Sequence, residues 1–465
     1  PACSMPVSAG MVIQTHDEQV RAARKDTLDL LLSEHVGDCE APCQRACPAH
    51  MDIPSMVRLI QSQRWEEAIA TVKRDIALPA TLGRICPAPC EAGCNRKGHD
   101  GAVSVCMLKR FAADADLERD DPYTPGLRQA SGKRVAVVGG GPTGLSAAYY
   151  LIQKGHAVHI YDEHPRLGGM LRYGVPDEDL PKSVLDAEIA QIQALGLEFH
   201  PGVVFGKDVT LEDLRRTHDA VVLALGTVVP NTLKIPGLDM TPRGIAIQRN
   251  TYETSLTGVF AGGNAVSESQ RAIRSIAHGK EIASSADQFL NGLPVVGESG
   301  RFASRMGRLL EGECAELLQI AGTAGRTSPA GGSESGFELS ESVGESSRCL
   351  RCGCQMLEGC KLRLYADEYG ADQTRFQMGE RKKLQRVLHH GGRVIYEPGK
   401  CIKCGLCIQI AQIEGEELGL SFVGRGFDVR VAVPFNGSFE EGLKKAAQAC
   451  IEACPTAALA WREPL

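Results

Sequence analysis

No stretch of this chain is apolar for long enough to cross a bilayer, which argues against membrane insertion. No long basic run occurs either, and the net charge is −6 at pH 7, so the usual electrostatic basis for nucleic-acid binding is missing. The opening Pro1-Ala2-Cys3-Ser4-Met5 lacks the charged-then-apolar pattern of a secretory signal, and a cytoplasmic location is expected. A first residue of proline fits removal of an initiator methionine and fits a fragment equally well. No set of side chains reads as a substrate site with a general acid, base or nucleophile. What remains is an ordinary globular composition, 43% hydrophobic and 23% charged, over 465 residues, enough for two to four domains.

Cysteine is the exception to that ordinariness. Sixteen of the 18 fall in three groups. The first is Cys39, Cys43 and Cys47 with Cys86, Cys90, Cys94 and Cys106. The second is Cys349, Cys352, Cys354 and Cys360. The third is Cys401, Cys404 and Cys407 with Cys450 and Cys454. A disulfide framework belongs to short secreted domains, and this chain is long and lacks a signal. Zinc ribbons pair two separated CxxC units, whereas these groups are CxxCxxC and CxxxCxxxC triples, some followed by proline. Iron–sulfur clusters need such triples, because the thiolates must converge on one small cube. The proline keeps the chain out of a helix that would splay them.

Helical spacing dominates residues 17–125, as in Arg58, Leu59 and Ile60 followed by Trp65, Ala68, Ile69 and Val72. Pro122, Pro125 and Gly126 then mark a linker. Strand and helix alternate over 133–290: strands at Arg134–Val138, Ala157–Tyr161, Ala220–Leu225 and Val259–Ala261, helices at Leu145–Gln153, Ser183–Leu195 and Ala272–Leu290. That rhythm predicts a parallel α/β sheet with helices on both faces. Gly322–Ser347 is rich in Gly, Ser and Glu and reads as a mobile linker. The last 118 residues have short strands at Arg393–Tyr396 and Phe427–Val433 and too little core for a large domain, so metal sites are expected to hold them together. The expected divisions are a helical iron–sulfur domain (17–125), a Rossmann-like dinucleotide domain (126–298), a linker (299–347) and a ferredoxin-like iron–sulfur domain (348–465).

Gly139-Gly140-Gly141-Pro142-Thr143-Gly144 follows a strand and opens a helix, the context that makes G-x-G-x-x-G informative. Gly139 allows the tight turn, Gly141 lets a pyrophosphate approach the backbone, and Gly144 lets helix and strand pack closely. The helix start at Pro142 and Thr143 offers free N–H groups to an anion. Asp162, at the end of the next strand, is placed for the ribose hydroxyls. A second signature, Thr257 to Asn264, resembles the strand of flavoproteins in which a polar residue after Gly263 holds the ribityl chain. His278 and Lys280, on the helix that follows, read as surface or packing residues rather than catalysts.

Cys39–Asp114, Arg134–Pro181 and Ala224–Gly292 together resemble the small subunit of glutamate synthase and the N-terminal half of dihydropyrimidine dehydrogenase. The matching text includes Gly168-Gly169-Met170-Leu171-Arg172-Tyr173-Gly174-Val175-Pro176 and the Gly258–Lys280 stretch. The resemblance covers roughly half the chain. It implies FAD in the glycine-motif domain, with Gly169, Arg172, Gly263 and Asn264 among its contacts, and two [4Fe-4S] clusters in the helical part. It also implies that one cluster uses Cys47, Cys86, Cys90 and a ligand near Cys106, where Lys109 matches a non-cysteine ligand of the family. The other would use Cys39, Cys43 and Cys94 and lack a fourth ligand. His35 is a weak candidate for that place, and a solvated helix residue is the rival reading. Cys401, Cys404, Cys407 and Cys454 resemble one half of a bacterial ferredoxin, with Ala411 where a further cysteine would feed a second cluster and Cys450 left spare. Cys349, Cys352, Cys354 and Cys360 offer four thiolates for another, giving about four clusters in all.

Three departures qualify the resemblance. Family members insert a nicotinamide-binding domain where this chain has only 31 residues, Thr227–Thr257, and no second glycine fingerprint. Such a domain needs roughly 100 residues, so it is either deleted or absent from the sequence given. Asn264 stands where Asp is usual, and Asp179 where Arg is common. The segment around Cys3 resembles the tail of a [2Fe-2S] domain without its partner cysteines, either a remnant or the end of a missing domain.

The sequence thus predicts an FAD- and [4Fe-4S]-containing electron-transfer subunit of a larger oxidoreductase complex. Its partners would be other redox subunits of hydrogenase, formate dehydrogenase or NADH dehydrogenase type, with ferredoxin a further candidate. A self-sufficient NAD(P)H oxidoreductase and a flavin-free iron–sulfur scaffold are the alternatives.

Overall fold

The computed structural model describes residues 5–228, 235–269, 271–298, 300–321, 324–332, 334–356, 359–388 and 392–462, without the side chains of 320 and 427. The chain divides into two compact units. One comprises Ala41–Gly300 with Ala321–Leu350; the other comprises Pro1–Glu40, Arg301–Ile320 and Arg351–Leu465.

The larger unit holds a five-stranded, all-parallel sheet: β1 (Arg134–Val138), β2 (Ala157–Asp162), β3 (Glu198–Pro201), β4 (Ala220–Leu223) and β5 (Val259–Ala261), in the order β3-β2-β1-β4-β5. Strands β1 and β4 are almost continuously buried, as strands covered on both faces must be. The helices Pro142–Gln153 and Ala272–Leu290 pack together, and Gly279 makes that possible. A Cβ there would lie 2.5 Å from the Thr143 carbonyl oxygen. The strand and helix segments expected from the sequence all appear, with ends shifted by up to three residues.

The helical part belongs to the same unit. Asp52 caps the helix Ile53–Gln61 by accepting from the Ser55 N–H at 3.1 Å, and Pro54 sits in its first turn. Its apolar face, Ile53, Met56, Val57 and Ile60, is fully buried against Trp65–Lys73. Three polar clamps tie this part to the sheet. The buried Glu188 accepts from the Ala80 and Thr81 N–H groups at 2.6 and 2.8 Å, closing the start of helix Pro79–Ile85. Lys73 bridges Asp116 (2.7 Å) and Gln191 (2.9 Å). Lys280 pairs with Asp75 at 2.8 Å. Each clamp is buried or nearly so, where leaving one partner unpaired is costly.

The stretch expected to be a mobile linker is different. Leu339–Ser347 is a helix, opened by a capping box between Glu338 and Glu341, and it packs on Ile53–Gln61. Its Ser342, Glu345 and Ser346 are buried. Its Glu345 and the Arg348 that follows the helix satisfy buried backbone of residues 100–104, as described below.

The other unit contains two antiparallel pairs, β6 (Val394–Tyr396) with β9 (Leu459–Trp461) and β7 (Ser421–Val423) with β8 (Arg430–Ala432). Val394, Tyr396, Leu420, Val431, Phe439 and Leu459 belong to its small core. No helix among the described residues is long and apolar enough to cross a membrane.

Candidate functional site

The glycine motif forms a cradle at the carboxyl end of β1. Gly139 has φ +104° and touches β4's extension so closely that a Cβ would meet the Ala224 carbonyl at 2.3 Å. A Cβ on Gly144 would lie 1.9 Å from the Gly139 carbonyl, so this glycine is required by helix–strand packing. Gly141 differs. A Cβ there would meet nothing closer than the Gly169 Cα at 3.9 Å, and its backbone is extended, φ −78° and ψ −172°. The protein leaves room over Gly141 that its own packing does not need. Gly141 caps the helix Pro142–Gln153 without any side-chain acceptor, so the first-turn N–H groups face this room. A pyrophosphate fits that donor set.

Asp162 lies at the cradle's edge. Its carboxylate accepts from the Gly140 N–H at 2.6 Å and the His164 N–H at 2.8 Å, which fixes it there. Gly263, at φ +64°, lies against Thr143 and donates its N–H to His278 Nδ1 at 3.0 Å. Burial lowers the His278 pKa to about 4, so it is a neutral acceptor, not an acid. Asn264 accepts from the Ser269 N–H at 3.1 Å and donates to Thr227 at 3.4 Å. Arg172 gives its Nε to the Leu167 carbonyl (2.6 Å) and a terminal nitrogen to Asp186. It therefore shapes the loop carrying Gly168 and Gly169. Asp179 is exposed.

Four thiols of the helical part surround one ammonium. Cys86 touches Cys106, Cys106 touches Cys90, and Cys47 lies beside Cys86. Lys109, one turn after Cys106, is 3% exposed, with Nζ 4.0 Å from the Cys106 sulfur. No carboxylate pairs with it among the described residues. Burial works against its charge, and the surrounding sulfurs outweigh burial and raise its pKa. Backbone N–H groups of Ala49 and Met51 point at Cys47, and that of Ala88 at Cys86. Ala88, at φ +51°, lets the Cys86–Cys90 loop turn back on itself. A buried cation, inward N–H groups and four sulfurs without disulfides make a site for a compact anion held by thiolates, which a [4Fe-4S] cluster is. Cys106 brings a fourth sulfur to the group, with Lys109 beside it. Replacing Lys109 by Met should lower this cluster's midpoint potential by on the order of 100 mV, since a unit charge at this range and an effective dielectric near 20 is worth ~3 kcal/mol. Redox titration followed by EPR checks it; an unmoved potential would contradict the counter-ion role.

In the other unit, Cys401, Cys404 and Cys407 ring a loop with Lys403 at φ +57° and Gly405 at φ +77°, and the helix Leu406–Ile413 starts immediately after. Burial, with Cys450, Cys401, Cys454 and Cys404 adding, pushes Cys407 up to about 12. Neutral thiols crowded this way release protons to a metal. Cys450 is fully buried and donates to the Cys407 carbonyl at 3.4 Å, a structural role. Ala411 is buried in the core. Elsewhere in that unit, Cys354 donates its N–H to the Cys39 carbonyl at 3.2 Å, and Asp38 and Gly353 form a parallel bridge. The Cys39 sulfur accepts from the Ser304 N–H at 3.3 Å. Cys360 is pushed up to about 11 by burial, with Cys354 and Cys39 adding. Lys400, buried and paired with Glu397, reaches Cys354 at 3.7 Å. His35 is not a solvated residue: its Nδ1 is buried without a partner, and burial and Lys400 lower its pKa to about 4.

Residues 33–121 match the family described as dihydropyrimidine dehydrogenase domain II, 4Fe-4S cluster, and residues 100–279 match the pyridine nucleotide-disulphide oxidoreductase family. The chain resembles the flavin–iron–sulfur family of the glutamate synthase small chain. Among relatives, the NADP(+)-dependent formate dehydrogenase subunit beta of Moorella thermoacetica is 38% identical over 43% of this chain and 31% of its own length. The glutamate synthase [NADPH] small chain of Mycobacterium tuberculosis is 38% identical over 44% of this chain and 42% of its own. The NAD-dependent dihydropyrimidine dehydrogenase subunit PreT of Escherichia coli O157:H7 is 37% identical over 40% and 46%. The chain thus spans less than half the length of these relatives. The two families cover the four-thiol site around Lys109 and the glycine cradle, and neither extends to Cys349 or beyond.

Sequence reasoning named the cysteines and the cradle. It missed Lys109 as a buried counter-charge, the Ser304 and Lys400 contacts to Cys39 and Cys354, and the helix Leu339–Ser347. Only a lysine one turn after a cysteine hinted at the first.

Proposed function

We propose that the chain is an FAD- and [4Fe-4S]-containing electron-transfer subunit of a multi-subunit oxidoreductase, partnered by hydrogenase-, formate dehydrogenase- or NADH dehydrogenase-type subunits. The observation that carries this reading is the pairing, within one compact unit, of a glycine cradle with spare room over Gly141 and four sulfurs around a buried, carboxylate-free Lys109. Bound FAD would supply storage of two electrons, and the clusters would pass them singly. The protein's residues hold and tune. Gly139, Gly141 and the first-turn N–H groups bind a pyrophosphate, Asp162 borders the ribose side, and Lys109 offsets cluster charge. The clamps Glu188, Lys73–Asp116 and Lys280–Asp75 keep the spacing between cradle and thiols fixed. His278 takes the Gly263 N–H on its Nδ1 and Lys280 pairs with Asp75, so both serve the fold around the cradle.

A self-sufficient NAD(P)H oxidoreductase is the second reading, favoured by the nicotinamide nucleotides in the relatives' names. Composition of the anaerobically purified chain tests the main one. About one FAD and about 16 iron atoms per chain are expected. Zinc in place of iron, or about four irons, would overturn it. Pull-down from the native host then identifies the partner.

A further inference from the structure

The segment just before Cys349 is bound unusually firmly to the cysteine loops of the helical part, all within the larger unit. Arg348 is fully buried. Its guanidinium donates to the carbonyls of Asp100 (3.1 Å), Gly101 (2.9 Å), Ala102 (3.3 Å) and Ala324 (2.9 Å), and pairs with Asp100 and with Glu345 at 2.7 Å. Arg96, also fully buried, donates to the Arg348 carbonyl and pairs with Asp100 at 2.6 Å. Glu345 accepts from the Ser104 N–H at 2.8 Å. Two buried guanidiniums and two carboxylates therefore lock residues 345–348 against 96–104. Such a network is expensive to bury and is strongly destabilised by removing any one partner.

What it positions is a thiol. Cys349 follows Arg348 directly, and Cys94 lies two residues before Arg96. Both pack against the same hydrophobic core as Cys43. Gly93 explains how Cys43 joins them: a Cβ on Gly93 would lie 2.9 Å from the Ala46 Cβ and 3.1 Å from the Pro42 carbonyl, so the Cys94 loop lies directly on the helix Pro42–Ala46 that carries Cys43. Cys94 receives the N–H groups of Arg96, Lys97 and Val103, and Cys349 is its neighbour across the loop.

We infer that Cys349 is a ligand of the iron–sulfur cluster held by Cys43 and Cys94, and takes the position that the N-terminal cysteines leave open. It leaves the set Cys352, Cys354 and Cys360, which lies in the other unit. A residue more than 200 positions downstream of the N-terminal motif would thus complete an N-terminal cluster, and the Arg348 network exists to deliver it. The inference rests on the reading that these cysteines bind clusters at all.

Iron content and EPR of the full chain, purified anaerobically, test both. The variants are Cys349→Ala, Cys94→Ala, the double variant, and Cys349→Ala with Cys360→Ala, with flavin content as the check on folding. Cys349→Ala and Cys94→Ala should each lose one to about four irons and the same EPR signal. The Cys94/Cys349 double variant should lose no more than either, while adding Cys360→Ala should remove a second signal. If the Cys94/Cys349 losses add, or if Cys349→Ala retains all iron while Cys94→Ala does not, the inference fails and the cluster reading stands. If Cys94→Ala also retains all iron, the cluster reading itself fails. Should an alanine variant lose flavin too, Cys349→Ser decides: an altered signal of the Cys94 cluster supports the inference, and an unaltered one overturns it.

Discussion

Replacing Gly141 by valine will empty the flavin site and leave the fold intact. The backbone at 141 is extended, a conformation any residue adopts, and a Cβ there comes no closer than 3.9 Å to protein atoms. The folded chain therefore has no objection to a Cβ at 141. A dinucleotide does, because its pyrophosphate needs the volume that the isopropyl group would fill. Overpacking a tight contact of this kind costs up to ~3 kcal/mol, or roughly 100-fold in affinity. Flavin per chain should drop from about one to near zero, while iron content and the far-ultraviolet circular dichroism stay unchanged. Gly144→Ala gives the opposite pattern. Its Cβ would sit 1.9 Å from the Gly139 carbonyl, so β1 and the helix must separate, and stability falls along with flavin. A Gly141→Val protein that keeps its flavin would refute the cradle assignment. A wild-type chain with no flavin band at about 450 nm after its clusters are removed would favour the scaffold reading instead.

The parts legible in the sequence are those with short-range signatures. Strand β1, the turn at Gly139 and the helix from Pro142 are contiguous, so one pattern reports all three. The Cys401–Cys407 loop is legible for the same reason. The Leu339–Ser347 helix was not. Its burial depends on Arg348 meeting carbonyls of residues 100–102 and on Glu345 meeting Ser104, contacts across more than 200 residues that composition does not encode. Glycine, serine and glutamate look solvated until the partner backbone is known. Lys109 is legible as a position but not as a charge: the resemblance places it at a ligand site, and only the convergence of Cys47, Cys86, Cys90 and Cys106 around it shows a buried ammonium. Arg172, which the family motif carries as a flavin contact, gives two of its donor nitrogens to Leu167 and Asp186, partners the sequence does not announce.

The remaining large effect concerns which donor reduces the flavin. The purified chain should be reduced by dithionite or reduced ferredoxin at least ~10³-fold faster than by NADH or NADPH, because correct positioning of two reactants supplies rate factors of that size and more. The interval Thr227–Thr257 is where a nicotinamide-binding domain would stand. Its residues 235–257 fold back along the sheet rather than forming a domain. Met240–Thr241 and Gly244–Ile245 make a two-residue antiparallel pair, Leu238 and Ile245 join the core under β4 and β5, and Glu253 bridges to Phe260. Gly244 lies so close to the Ala265 carbonyl, 2.2 Å from where its Cβ would stand, that this hairpin is a cover for the Gly263–Ala265 turn. Among the described residues of the interval there is no parallel strand and no glycine-rich turn to take a second pyrophosphate. Residues 229–234 lie outside the described residues. Hydride transfer requires the nicotinamide stacked on the flavin, and a nucleotide held only by that stacking would react slowly and without saturation. Anaerobic stopped-flow reduction with each donor decides the matter. Fast bleaching by NADPH or NADH that saturates at low concentration would show that another surface of this chain binds the nucleotide, and the self-sufficient reading would replace the relay.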